Sequence, residues 1–216
     1  MKLNHLFAAV SLALASFSAA AVPVVSGIQI NVSESSFLSA GWTEVSAAST
    51  NTFGNISAAV NGLAKTDRIA VGVRDNSTGL FLVIAETTLG SFQTHTMHNQ
   101  THDDNGVSWY HNAYSVGFTE LGRQISQNAA DTNLFNNMGL SWHAWSNGNF
   151  NASLVPTEFY PGWAANNGDI VSTWSDQFSR VFLTVGDDTG EVPEPASIAL
   201  LAAGLLGMGV LRKKYK

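Results

Sequence analysis

Apolar and polar residues alternate in several short runs between residues 22 and 188. Gly27–Val32, Leu140–Ala144 and Phe178–Val185 each place an apolar side chain at every second position. This is the period of a β-strand with one buried face. The pattern therefore predicts strands in all three runs, separated by segments rich in glycine and asparagine.

The clearest local unit is Ile69–Glu86. Its first half alternates, and Asp75–Gly79 then supplies residues that favour a turn. Leu80–Ala85 is apolar throughout, as expected for a strand that is buried on both faces. This order predicts a β-hairpin with a buried second strand.

Other segments complete the predicted domain. Apolar residues recur at helical spacing in Ile56–Leu63, and Leu121–Asn128 could form a second short helix. The polar stretch Gln93–Asn112 is predicted to be a long loop or a pair of edge strands, and Pro161–Asp169 a loop. We therefore predict that residues 22–188 are mainly β: a single antiparallel β-sandwich or jelly-roll-like domain with one or two short helices.

The first 21 residues predict a secretory signal peptide with a helical apolar centre. Lys2 supplies the positive start, and the apolar stretch Leu6–Phe17 is too short to span a bilayer. Ala19 and Ala21 match the small-residue pattern at which signal peptidase cuts. We expect cleavage after Ala21 and export of the chain that follows.

The chain ends in three blocks of different chemistry. They are the linker 189–195, which contains Val192, Pro193, Glu194 and Pro195; the apolar run Ala196–Leu211; and the basic tip 212–216, which contains Arg212, Lys213 and Lys214. As a helix the apolar run spans roughly 24 Å, close to the ~30 Å hydrocarbon core, so we predict a transmembrane helix. The basic tip indicates a cytoplasmic end, and the two prolines keep the linker extended.

This order of motif, helix and basic tip resembles the PEP-CTERM sorting tail of Gram-negative bacteria. That tail is also labelled the "ice-binding protein C-terminal" domain, a name that implies nothing about ice. The resemblance implies recognition of Pro193, Glu194 and Pro195 by an exosortase, a membrane processing enzyme, after which the protein reaches the cell surface or extracellular matrix. It also makes extracellular polysaccharide a candidate partner. The alternative is a plain membrane anchor.

Composition narrows the partners of the exported domain. The formal net charge is −6 and the chain contains no cysteine. Disulfides and thiolate zinc sites are therefore excluded, so the domain must be held together by packing. Nucleic acid is not an expected partner, because phosphate contacts need clustered lysine and arginine.

Three groups of residues could bind a metal ion. His95, His98 and His102, followed by Asp103 and Asp104, would suit zinc or a similar ion, and Asp103–Asn105 and Asp187–Asp188 would suit calcium. The odd spacing of His95 and His98 would place them on opposite faces of a strand, and neither acidic group has the spacing of a calcium loop. We therefore favour polar loop residues, and predict no metal or other cofactor.

No catalytic residue is predicted, and we expect a non-enzymatic protein. The chain lacks a Gly-x-Ser-x-Gly nucleophile motif and a phosphate-binding loop. A hydrolase with an unrecognised site remains an alternative. A carbohydrate-binding module is another, because exposed aromatic rings stack on sugars; the candidate rings are Trp42, Trp109, Trp142, Trp145, Trp163 and Trp174. Burial of these tryptophans in the core is the favoured interpretation.

Overall fold

A computed structural model of the chain describes residues 25–97, 99–125, 138–145, 157–168, 170–172 and 175–185. These residues form two antiparallel sheets and three short helices. In chain order the strands are β1 (Gln29–Ser33), β2 (Trp42–Ser49), β3 (Gly54–Asn55), β4 (Arg68–Asp75), β5 (Leu80–Thr88), β6 (His102–Asp104), β7 (Val107–His111), β8 (Ser115–Glu120), β9 (Gly139–Trp145), β10 (Glu158–Asn166), β11 (Ile170–Ser172) and β12 (Phe178–Val185). The helices are α1 (Glu34–Ser39), α2 (Ile56–Ala59) and α3 (Leu89–Phe92). The prediction of a mainly β domain with few short helices is confirmed.

The first sheet contains five strands in the order β1-β5-β4-β12-β2. β4 and β5 form the predicted hairpin, joined by a turn at Asn76–Gly79, and β5 is buried along most of its length. β12 comes last among the described strands but lies between β4 and β2. The middle of this sheet is therefore completed only when residues 178–185 have joined it.

The second sheet is an up-and-down meander in the order β11-β10-β9-β8-β7-β6, and the short β3 pairs with β10. Its consecutive strands are neighbours, so its pairing is local in sequence. The predicted strand at Leu140–Ala144 is confirmed as part of β9.

One hydrophobic core lies between the two sheets. Phe182 of β12 reaches rings that belong to other elements, with centroid distances of 5.6 Å to Phe92, 5.7 Å to Trp142 and 6.1 Å to Phe159. Aromatic pairs at such distances add to the stabilisation that burial provides. The contacts with Trp142 and Phe159 pack β12 of the first sheet against β9 and β10 of the second sheet.

The outer face of the first sheet carries a second apolar cluster. Val181 and Leu183 of β12 pack there with Phe37 of α1 and Trp42 of β2. The side chain of Ser33 caps α1 by accepting a hydrogen bond from the N–H of Ser36. β12 is therefore buried on both faces, whereas its alternating pattern predicted only one.

The predicted loop at Pro161–Asp169 is wrong for residues 161–166, because β10 continues through Asn166, whereas residues 167–168 lie outside the strands. The pairing of β10 with β9 shifts register between Phe159 and Trp163, which places a bulge around Pro161. A bulge tolerates proline because the ladder hydrogen bond is interrupted there. Gly162 has a φ of 99°, and its N–H donates to the carbonyl of Thr50.

Two other local predictions hold only in part. The helical spacing of Ile56–Leu63 yields one turn, α2, which Asn55 caps through Ala58 N–H. Residues 121–125 form no helix, and 126–128 lie outside the described residues. The predicted pair of edge strands in Gln93–Asn112 holds for β6, which pairs only with β7 among the described strands. It does not hold for β7, which is buried between β6 and β8.

None of the described helices has the length and apolar character needed to cross a bilayer. The predicted signal peptide, the linker with its motif, the apolar run Ala196–Leu211 and the basic tip lie outside the described residues.

Candidate functional site

The most distinctive buried group in the domain is the guanidinium of Arg180. On β12, Phe178, Arg180 and Phe182 point toward the second sheet, whereas Val181 and Leu183 pack on the outer face. Arg180 is only 2% exposed. A positive charge therefore lies between two core phenylalanines.

Backbone carbonyls surround this charge. The Nη1 of Arg180 donates to the carbonyls of Thr50 and Tyr160, at 3.4 and 3.5 Å, and Nη2 donates to the carbonyl of Thr52 at 2.6 Å. The guanidinium carbon lies 5.0 Å from the centroid of the Phe159 ring. Arg180 thus ties the segment after β2 to β10 and β12.

No carboxylate balances the charge of Arg180 within the part of the chain that the structure describes; the ion pairs there involve Arg68, Arg74 and Arg123 instead. Burial lowers the pKa of the Arg180 guanidinium to about 10. The group nevertheless stays protonated at neutral pH. The site is therefore a buried cationic centre without a counter-ion among the described residues, which favours an anion over a neutral molecule.

A cavity of about 210 Å³ lies beside this group, and we name it the Arg180 cavity. Its lining includes Ser46 and Ala48 of β2, Gly54 of β3, Ala58 of α2, Phe159 of β10, and Arg180 and Phe182 of β12. Asn55 and Ala58 are exposed, so the cavity opens to solvent on that side. A Cβ atom on Gly54 would lie 3.4 Å from Nη2 of Arg180, so glycine keeps the approach to the guanidinium open.

Sequence reasoning did not single out Arg180. The signal that could have indicated its orientation is its position two residues from both Phe178 and Phe182. Residues two apart in a strand point to the same face, so Arg180 faces the core together with these two phenylalanines. The residues that surround it, such as Thr50 and Tyr160, could not be found in this way.

The residues of the predicted histidine and aspartate cluster make separate hydrogen bonds with different partners. His102 Nε2 lies 3.0 Å from the hydroxyl of Ser91, while Thr87 donates to Asp104 and Ser108 to Asp103, both at 2.5 Å. No group of three potential metal ligands occurs among the described residues, which do not include His98.

Burial and hydrogen bonds act in opposite directions on Asp104. Burial opposes the charge on Asp104, but polar interactions led by the hydroxyls of Thr87 and Ser91 outweigh it and hold the pKa of Asp104 below its usual value. The Ser91 hydroxyl also contacts His102 Nε2, and which of the two donates depends on the histidine tautomer. His102 Nδ1 is buried and has no hydrogen-bond partner among the described residues.

The stability of the domain is expected to fall when the pH drops below about 6.5. Burial lowers the pKa of His102 below 6.5, although the carboxylates of Asp104 and Asp103 and a hydrogen bond with Ser91 act in the opposite direction. The unfolded chain then binds more protons between the two pKa values, so protonation favours unfolding. Melting temperatures measured from pH 8 to pH 5 should reveal this loss.

The matched variant is His102→Gln, whose side-chain amide can donate to Ser91 but does not titrate in this range. We expect wild type and variant to melt at similar temperatures at pH 8. The variant should lose less stability on acidification below pH 6.5. Parallel pH profiles for the two proteins would show that His102 does not contribute to the acid sensitivity.

Three of the six tryptophans have described side chains. Trp42, Trp109 and Trp142 are buried, each at most 3% exposed. Trp109 and Trp142 belong to the core between the sheets, and Trp42 to the outer cluster. These three rings therefore serve packing, while the side chains of Trp145, Trp163 and Trp174 lie outside the described residues.

Residues 191–214 match the family model of the PEP-CTERM protein-sorting motif. The matched range contains the predicted motif Val192–Pro195, the apolar run and the basic residues 212–214. No curated protein and no solved structure matches this chain. A PEP-CTERM signal implies an exported protein that an exosortase processes at the membrane.

Proposed function

We propose that this chain, which carries a PEP-CTERM sorting motif at residues 191–214, displays a non-enzymatic β-domain at the cell surface or in the extracellular matrix. Signal peptidase would remove residues 1–21, and the apolar run 196–211 would hold the chain as an inner-membrane intermediate. An exosortase then acts near Pro193–Pro195. The two sheets and their common core support an antiparallel β-sandwich as the displayed unit.

The observation that carries this proposal is the place of the motif relative to the domain. β12 ends at Val185, and the matched range begins at residue 191. Five residues, 186–190, therefore separate the last described strand from the matched range, so the sorting tail follows this strand closely in the sequence.

A binding or structural role suits the polar groups of the domain better than hydrolysis. Among the described residues His102 Nδ1 has no hydrogen-bond partner, so His102 lacks the group that orients a catalytic base. Burial of Trp42, Trp109 and Trp142 leaves fewer aromatic rings for a sugar-binding surface. Extracellular polysaccharide stays a candidate partner of the displayed domain.

Intact-mass analysis of the native protein tests this proposal. We expect chains in the surface or culture fraction to begin at Val22 and to end near Val192–Pro195. Cleavage is required because the apolar run is held in the bilayer by far more than thermal energy. The same gene expressed in a host without an exosortase serves as control and should yield a membrane-bound chain that ends at Lys216. Native protein that is intact to Lys216 would reduce the tail to a plain anchor.

A further inference from the structure

We propose that the Arg180 cavity binds a small carboxylic acid whose body is an apolar ring. This inference goes beyond the proposed function, because the sorting motif specifies no ligand. It rests on three observations: a buried cation without a carboxylate partner in the described chain, unused N–H groups on that cation, and an open apolar cavity beside it.

The hydrogen bonds of Arg180 leave room for a carboxylate. A guanidinium carries five N–H groups, and three donate to the carbonyls of Thr50, Thr52 and Tyr160. Among the described residues, Nε–H has no acceptor, and Nη2, which carries two N–H groups, has one. Nε and Nη2 lie on the same side of the planar guanidinium, and a carboxylate binds such a side through two parallel hydrogen bonds.

The cavity also has the size and surface for a ring. Its volume of about 210 Å³ exceeds the roughly 150 Å³ of an engineered cavity that binds benzene. Ser46 and Ala48 stand opposite Phe182 and Arg180 across the β2–β12 ladder, so small residues face large ones and leave space between the strands. The rings of Phe159 and Phe182 supply an apolar surface.

The wall chemistry distinguishes an apolar ring from a sugar acid. Apart from Arg180, the polar side chains that line the cavity within the described part of the chain are those of Ser46 and Asn55. A sugar acid would leave several of its hydroxyls without partners there, which disfavours its entry. Benzoate is therefore the appropriate probe, with benzamide as its neutral isostere and glucuronate as the polar acid.

Binding of these probes is measured by calorimetry on the full-length protein in lipid nanodiscs, with empty nanodiscs as the blank. We expect saturable binding of one benzoate per chain at concentrations below about 10 mM, and affinity for benzamide and glucuronate at least about tenfold lower. This comparison uses wild-type protein and so does not depend on the folding of any variant.

Two alanines of β2 provide a matched pair of variants. Ala48 pairs with Arg180 and lines the cavity, whereas Ala47 is exposed and does not line it. Ala48→Leu should lower the affinity for benzoate at least about tenfold, and Ala47→Leu should leave it within about twofold.

Several results would overturn the proposal. They are the absence of saturable benzoate binding at about 10 mM, equal affinity for benzoate and benzamide, tighter binding of glucuronate than of benzoate, or unchanged affinity in Ala48→Leu. None of these results affects the proposed sorting route, which is tested by the mass of the native chain.

Discussion

Replacing Pro193, Glu194 and Pro195 together with alanine is expected to leave nearly all of the protein in the membrane at full length. The replacement would remove the proposed exosortase motif and the two prolines that are expected to keep this segment extended. The sixteen residues Ala196–Leu211 of the proposed membrane helix would then remain in the bilayer, because moving their apolar surface into water is strongly unfavourable. Intact-mass analysis of membrane and surface fractions from the native host measures the outcome.

The matched control replaces Asp187, Asp188 and Thr189 with alanine. This variant also carries three substitutions close to the motif, but they lie before the matched range 191–214. It should be processed and released like the wild type. Equal release of the two variants would show that the motif does not direct processing.

Gly117→Ala is expected to destabilise the exported domain by about 3 kcal/mol, which corresponds to a fall of roughly 10 °C in melting temperature. Gly117 lies in β8 opposite Tyr110 of β7, and the Tyr110 hydroxyl reaches across it to the carbonyl of Leu140 on β9 at 2.7 Å. A Cβ at this position would lie 1.9 Å from the Leu140 oxygen and 2.8 Å from the Tyr110 hydroxyl. Backbone must therefore move, because the closer contact is with a carbonyl rather than with a flexible side chain.

Gly122→Ala is the control for losing a glycine. Gly122 has a φ of 75°, but a Cβ there meets no atom within 4 Å. This substitution should cost about 1–2 kcal/mol through backbone strain alone. Adding Tyr110→Phe to Gly117→Ala should not restore stability, since the contact with the Leu140 carbonyl persists. A smaller loss in Gly117→Ala than in Gly122→Ala would contradict the steric argument.

The predictions that held depend on residues close together in the chain. The hairpin from β4 to β5 could be predicted because a turn signal joins two apolar runs. The α2 turn and the strands β1, β9 and β12 follow from side-chain spacing. The prediction failed at Pro161, where the bulge that accommodates proline depends on the register with β9 and on a hydrogen bond to Thr50.

The neighbours of Arg180 in the candidate site could not be predicted either, because they too depend on contacts between distant segments. Arg180 bonds to Thr52, which is 128 positions away in the chain, and it faces Ala48 only because β12 enters the sheet beside β2. Likewise, the residues next to Gly117 in the sequence do not indicate a steric constraint. The constraint arises because β7 and β9 place Tyr110 and Leu140 against this glycine. No local pattern in the sequence encodes these neighbours.

The sequence by itself therefore determined the mainly β class, the hairpin and the sorting tail, which the match at residues 191–214 supports. Each of these three features can be predicted from the order and spacing of residues that are close together in the chain. Only the tertiary structure decided that β12 is an inner strand of its sheet, that an open cavity lies beside Arg180, and that Gly117 allows no side chain. These features arise from contacts between distant segments, whose pairing is set by the packing of the whole core.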